Sequence, residues 1–383
     1  MIPLRNAKRF LSKALKQPVY ALRVLRKRSL AYWDYSFSRG KSRAPEAVTL
    51  FLTHRCNLRC KMCGQWGESG VTRQQGSELL KQELSLDELK KLVDELARFK
   101  PAITLFGGEP LLFPGCVGLV EYIKRKGMHV LMITNGSLLR EHAEGLVNAG
   151  LDELNVSLDG DKDLHDLIRG LPGVFERIKA GLEQVAILKE RKGGKKPLVN
   201  LQCTITKYNY RHLEELTRVA GQVKADSLTF HNLIFLSERD IIDQEPFDRA
   251  LGCSSESWKG FVSDPGIDPA ALAREKERIA GGKYGFSLDF YPDFSRSELK
   301  DYYTNSCYRP ARQNCRCVSP WLVAYVFPDG QIRPCLNSSY SFGSVKEGFL
   351  RAWNSSRSRD FRRELKYRKI FPVCKRCTEL YRY

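Results

Sequence analysis

The sequence predicts an α/β protein, a partial (β/α)6 TIM-like barrel followed by a small cysteine-rich C-terminal domain. Three observations predict it. Short apolar runs alternate with amphipathic stretches from residue 47 to about 235. Polar, glycine-containing motifs sit at the ends of those runs, and cysteines gather at 56–63 and again after 305. Strands alternating with helices pair in parallel through right-handed crossovers. Six such units make an open or partial barrel rather than a closed eightfold one.

Residues 1–46 form a basic amphipathic segment. Between Met1 and Arg43, twelve Lys or Arg stand against Asp34 alone, interleaved with Leu4, Phe10, Leu11, Leu15, Tyr20, Leu22, Val24 and Leu25. Such a segment suits an anionic membrane surface or an acidic partner, and equally a solvated basic helix pair packed on the domain. No nucleic-acid motif accompanies the charge, so sequence-specific nucleic-acid binding is not expected.

The barrel spans 47–236, with strands expected at 47–53, 102–108, 129–137, 153–160, 198–206 and 227–235. Ser85 and Glu88 form a capping-box signature ahead of the helix expected over 85–99. Residues 237–304 lose this rhythm and read as a connecting region with helices, and 305–383 form the cysteine-rich domain.

Apolar content of 42% and charged content of 28% are those of an ordinary globular protein. No run approaches the roughly 18 apolar residues of a membrane span, and the first segment is too charged for a secretory signal. The expected location is the cytoplasm, with peripheral membrane contact through the basic segment kept open. Thiols stay reduced there, so the twelve cysteines point to metal or catalysis rather than disulfides.

Cys56, Cys60 and Cys63 lie within eight positions of one loop. Three thiolates suit a cubane iron–sulfur cluster with one iron left open, and open metal positions are the ones that do chemistry. A zinc site completed by His54 or a distant cysteine is the alternative. Downstream, "GGEP" (Gly107, Gly108, Glu109, Pro110), "TNGS" (including Thr134 and Asn135) and "SLDG" (including Ser157 and Asp159) fall at successive strand ends, where ligands sit in such folds.

These residues resemble the radical S-adenosylmethionine (SAM) enzymes, whose CxxxCxxC signature Cys56, Cys60 and Cys63 match. The resemblance covers roughly residues 47–235. It implies a [4Fe–4S] cluster on the three cysteines and SAM as cofactor. Gly107 to Pro110 would hold the SAM amino group, with the two glycines letting backbone approach the ligand and Glu109 accepting from its ammonium. Ser157 and Asp159 would contact ribose and carboxylate, Arg169 would pair with the carboxylate, and Thr134 and Asn135 would line the pocket. Met62 stands where the family commonly has an aromatic residue near the adenine.

In the C-terminal domain, Cys317 and Cys335 flank an expected β-hairpin, and Cys374 and Cys377 follow at knuckle spacing. By counting alone, four thiolates fit zinc or a closed cluster equally. Cys317–x12–Gly330–x4–Cys335 and the terminal Cys–x2–Cys resemble the SPASM/twitch extension, which implies an auxiliary [4Fe–4S] cluster on these four. Cys307 and Cys315 are surplus, and Cys116, Cys203 and Cys253 read as core or incidental.

The resemblance implies reductive cleavage of SAM to a 5′-deoxyadenosyl radical, hydrogen abstraction from substrate, and a reductant such as flavodoxin or ferredoxin. The substrate is unidentified. A sugar, polyol or lipid-linked compound suits the basic start, and the 46 residues ahead of the barrel look short for a peptide-recognition domain. A peptide-modifying maturase is an alternative. From another class come a non-catalytic zinc or iron–sulfur protein with a basic partner-binding face, and an iron–sulfur carrier.

Overall fold

The computed structural model describes residues 18–311 and 315–383. The expected basic segment up to residue 17 lies outside them. Helix α1 (Pro18–Phe37) leads to β1 (Ala47–Phe51), followed by α2 (Leu86–Leu96), β2 (Ala102–Phe106), α3 (Cys116–Arg125) and β3 (Val130–Thr134). Next come α4 (Leu139–Asn148), β4 (Glu153–Ser157), α5 (Lys162–Arg169), α6 (Val174–Arg191), β5 (Leu198–Thr204), α7 (Leu213–Gln222) and β6 (Ser227–His231). All six expected strands form. The capping box forms too: Glu88 N donates to Ser85 Oγ at 3.2 Å and Ser85 N to the Glu88 carboxylate at 2.8 Å.

Strands β1 to β6 lie side by side in chain order, every pair parallel. Right-handed crossovers between sequential neighbours place every helix on the same face, so the sheet curls with its helices outside. That face is dry: Ile103, Leu105, Val130, Met132, Leu154, Val156, Leu201, Leu228 and Phe230 are fully buried.

The connecting region is more ordered than expected. Within α8 (Glu238–Leu251), α9 (Pro269–Ala280), β7 (Ser287–Tyr291) and α10 (Arg296–Thr304), β7 extends the sheet parallel to β6. Its sequence, SLDFY, is half-buried throughout and so lacks the continuous apolar run that marks the inner strands. The C-terminal region supplies β8 (Val323–Val326), β9 (Gln331–Arg333), β10 (Gly343–Ser344) and α11 (Ser356–Arg368). Strands β8 and β9 form the expected hairpin, and β8 pairs in parallel with β1, matching Ala47 with Val323. The C-terminal domain therefore continues the barrel sheet rather than sitting apart from it.

Helix α1 spends much of its charge on the fold. Arg28 pairs with Glu46 at 3.0 Å, Arg43 with Asp34 at 2.7 Å, and Lys27 donates to the carbonyls of Phe99 and Pro45. No helix among the described residues is long and apolar enough to cross a membrane. Arg362, fully buried, ties α11 to the rest: its Nε donates to Pro320 O at 2.8 Å, its Nη1 to Gly40 O at 3.2 Å, and it stacks 4.2 Å from the Trp353 ring. Arg362→Met leaves those carbonyls unpaired and is expected to cost about 3 kcal/mol in urea unfolding.

Candidate cluster and cofactor site

The β1 loop carrying Cys56, Cys60 and Cys63 is braced from three sides. Toward α5, Arg59 N and Lys61 N donate to Arg169 O and Ile168 O at 3.3 and 2.8 Å. Gly170, at φ +71, lies under it, and a Cβ there would come 2.7 Å from Arg59 O. Within the loop, Trp66 N donates to Cys63 Sγ, Trp66 Nε1 to His54 O at 2.9 Å, and Arg59 stacks on the Trp66 ring. From the connecting region, Gly260 and Phe261 press on Gly64 so closely that a Cβ at Gly260 would lie 1.9 Å from Gly64 O. Cys60 is buried and Cys56 and Cys63 half-buried. Burial pushes the Cys56 thiol up to about 12. Met62 is half-buried against the same core.

The GGEP segment serves this loop more directly than expected. Gly108 N donates to Thr53 O and Glu109 N to Arg55 O, at 2.8 and 2.9 Å. A Cβ on Gly107 would meet Thr53 O at 2.8 Å and one on Gly108 would meet Arg55 O at 2.3 Å. The backbone these glycines approach is that of the cysteine loop. Nor does Glu109 face an open pocket: it is fully buried and accepts from Thr134 Oγ1 and Asn135 N at 2.7 Å and from Leu111 N at 3.0 Å. Burial raises its carboxyl to about 7 against those three donors. Pro110 opens the turn Pro110–Leu112 behind it. Asn135 Nδ2 donates to Asn57 Oδ1 at 2.9 Å, and Asn57 Nδ2 to Ser137 Oγ at 2.8 Å, binding the β3 end to the cysteine loop.

At the β4 end, Asp159 and Arg169 form an ion pair of 2.6 Å, with Asp159 fully buried and also accepting from Thr204 N. Asp159 is therefore engaged with protein rather than turned to a ribose. Burial works against the Arg169 charge, but Asp159 and the neighbouring Cys60 outweigh it and hold the guanidinium protonated. Its Nη1 lies 3.7 Å from Cys60 Sγ, and its buried Nε has no hydrogen-bond partner among the described residues. That atom is an unused donor beside the thiols, of the kind a carboxylate takes. His165 Nδ1 accepts from Asp159 N at 3.0 Å, and burial pushes the imidazole down to about 2.

The sheet face turned away from the helices is divided. On β1 to β3 it carries Phe51, Phe106, Leu131 and Ile133 with Thr49 and Thr104, and on β4 to β7 it carries Asn155, Ser157, Gln202, Thr204, His231 and Tyr291. Those six polar side chains are only partly buried, unlike the residues of the helix-covered face. His231 hydrogen-bonds Gln202, and its ring meets Tyr291 edge-on at 5.7 Å. Tyr291 Oη donates to Thr378 O at 3.0 Å, next to Cys377.

Cys317, Cys335, Cys374 and Cys377 line one cavity of about 60 Å³ with apolar walls that include Trp258, Phe361, Leu365 and Phe371. Burial raises Cys335 and Cys374 to about 11 and about 12; thiols so placed become thiolates when a metal takes the proton's position. Cys253 also lines this cavity, so it is not incidental; its spacing carried no signal. Cys307 is exposed, Cys315 half-buried, and Cys116 and Cys203 are buried in the core. No group of three or more His, Cys, Asp or Glu among the described residues converges for a single metal ion. His54 packs on Phe51 at 4.9 Å, and its environment is set by burial and by Arg333 of the β9 strand.

Residues 50–224 match the radical SAM superfamily and residues 315–378 match the iron–sulfur cluster-binding SPASM domain. The chain thus carries a radical SAM domain followed by a SPASM domain. Its domains bring SAM, a [4Fe–4S] cluster and auxiliary iron–sulfur. The chain is 35% identical over 217 residues to an AdoMet-dependent heme synthase of Methanosarcina barkeri, a match spanning 54% of this chain and only 57% of that protein. It is 26% identical over 355 residues, 86% of each chain, to a tungsten-containing aldehyde ferredoxin oxidoreductase cofactor-modifying protein of Pyrococcus furiosus. The crystal structure of Streptococcus suis SuiB bound to S-adenosylmethionine shares the fold, with TM-score 0.59 at 14% identity over 83% of this chain and 68% of that one.

Two measurements probe this scaffold. Gly108→Ala is expected to displace the cysteine loop and lower both iron content after anaerobic reconstitution and the melting temperature. Because an unfolded imidazole titrates near 6.5, the neutral His165 contributes stability that is complete above about pH 6.5 and is lost on acidification, at about 1.4 kcal/mol per pH unit. His165→Asn, whose amide oxygen can accept the same N–H, should flatten that acid limb in denaturant titrations.

Proposed function

We propose that the protein is an enzyme that holds a [4Fe–4S] cluster on Cys56, Cys60 and Cys63, an auxiliary cluster on Cys317, Cys335, Cys374 and Cys377, and oxidises a hydroxyl-bearing substrate of the sugar or polyol class. When bound, the first cluster and SAM supply a 5′-deoxyadenosyl radical that takes hydrogen from substrate. The observation that carries this reading is the donor set: three thiols on one braced loop beside the unused Arg169 Nε, and four more thiols around a separate apolar cavity.

The residues divide the work. Arg169, held charged by Asp159, offers Nε to the cofactor's carboxylate, while His165 fixes the Asp159 backbone. Glu109 keeps the β2 and β3 ends in register with the thiol loop. Gln202, Thr204 and His231 give the inner face hydrogen-bonding groups for substrate, and Phe51, Phe106, Leu131 and Ile133 on the β1 to β3 side limit water. Relatives named for heme and tungsten-cofactor chemistry do not select a substrate, so the class rests on this polar face.

Anaerobic reconstitution should give about eight iron per chain and release 5′-deoxyadenosine under reduction. Cys56→Ala should lose about half the iron and all SAM cleavage. Cys377→Ala should lose a similar share of iron yet still release 5′-deoxyadenosine. Deuterium moving from a labelled polyol into 5′-deoxyadenosine would identify the substrate class; transfer from peptides alone would replace it with a maturase. A colourless zinc protein that leaves SAM intact would sink the enzyme reading.

A further inference from the structure

The two faces of α11 look at different things. Phe361 and Leu365 line the auxiliary cysteine cavity. Arg359 and Arg363, two positions out of phase and so on the opposite face, line a separate surface concavity of about 490 Å³ with Phe37, Arg39, Lys41 and Asp360. One helix, about 10 Å across, separates the concavity from the cysteines.

The concavity is shaped by the loop after α1. Gly40 takes φ +89, and a Cβ there would lie 2.5 Å from Arg359 O, so this backbone is pressed against α11. Arg39, at φ +51, and Lys41 flank it. Arg39, Lys41 and Arg359 have no ion-pair partner in the structure among the described residues, whereas Asp360 is taken by Arg363. Phe37, which lines it, and Trp33, whose ring lies 4.7 Å from Phe37, are 67% and 60% exposed, and Tyr367, one turn after Arg363 on α11, is 76% exposed. Exposed aromatic residues interleaved with arginine are the composition of protein-binding surfaces. A concavity of this volume can receive a protruding acidic side chain, which a planar lipid surface does not offer.

We propose that this face docks an acidic one-electron carrier protein, which exchanges electrons with the auxiliary cluster across α11. The proposal rests on the auxiliary-cluster reading above. In the reducing direction the carrier loses one electron and the oxidised cluster gains it, with no atom transferred. Uncompensated cations draw the carrier in, and Phe361 and Leu365 keep the far side of the helix dry.

The test uses the anaerobically reconstituted full chain and reduced flavodoxin, following bleaching of the cluster's visible absorbance by stopped flow. Lys41→Glu/Arg359→Glu should slow reduction by flavodoxin about tenfold or more at low salt, and the wild-type rate should fall with added salt. Reduction of the same variant by dithionite should be unchanged. Equal flavodoxin rates in wild type and variant, equal slowing with dithionite, or wild-type binding to phosphatidylserine vesicles but not to flavodoxin would each overturn the docking face. A protein with only one cluster signal in its electron paramagnetic resonance spectrum overturns the auxiliary-cluster reading, and the docking proposal with it. Two cluster signals with equal rates overturn the docking alone.

Discussion

Glu109 is the tie on which the site depends. Its carboxylate is removed from water and held by a hydroxyl of the β3 end, a backbone N–H of the next residue and a third N–H of its own turn. Its own N–H meanwhile donates to the cysteine loop. A buried carboxylate is tolerated only when so satisfied, and the satisfaction here comes from the β2 and β3 connections, while the Glu109 N–H reaches the loop after β1. Three strand ends that could drift separately are fixed relative to one another before any cofactor arrives.

A second buried charge does the same for the far side of the loop. Asp159 and Arg169 compensate each other, and Arg169 lies beside Cys60 while the backbone of its helix end receives two N–H groups from the cysteine loop. Ion pairs of this kind are weak evidence for stability, because desolvation offsets their attraction. Their value here is placement, with one guanidinium nitrogen left over next to the thiols.

Much of this was readable from residues alone, and the limits have physical causes. The six barrel strands were visible because parallel strands buried on the helix side are nearly continuous apolar runs. β7 was not, since SLDFY sits half-buried at the end of the sheet order and looks like connector. Motif spacing found Cys56, Cys60, Cys63, Glu109, Asp159 and Arg169, but spacing says nothing of what a side chain faces. Glu109 and Asp159 read as ligand contacts, and both also carry protein contacts that spacing does not show: three donors on Glu109, and Arg169 and Thr204 N on Asp159. Gly107 and Gly108 do permit a close approach, to the cysteine loop's backbone. Cys253, Phe261, Gln202 and His231 carry no local signature; only the fold brings Cys253 to the auxiliary cavity, Phe261 against the cysteine loop, and Gln202 and His231 to the inner face.

The pairing of β8 with β1 has a consequence for how the chain is made. Ala47 and Val323 are neighbours in the sheet and lie near opposite ends of the chain. During synthesis the barrel half emerges first, with one side of β1 unpaired, its backbone donors and acceptors exposed as a ready template for another strand. It stays so until β8 leaves the ribosome and fills that edge. Contacts of such long sequence separation close slowly, so β1, which the cysteine loop directly follows, is built early but gains its second neighbour late.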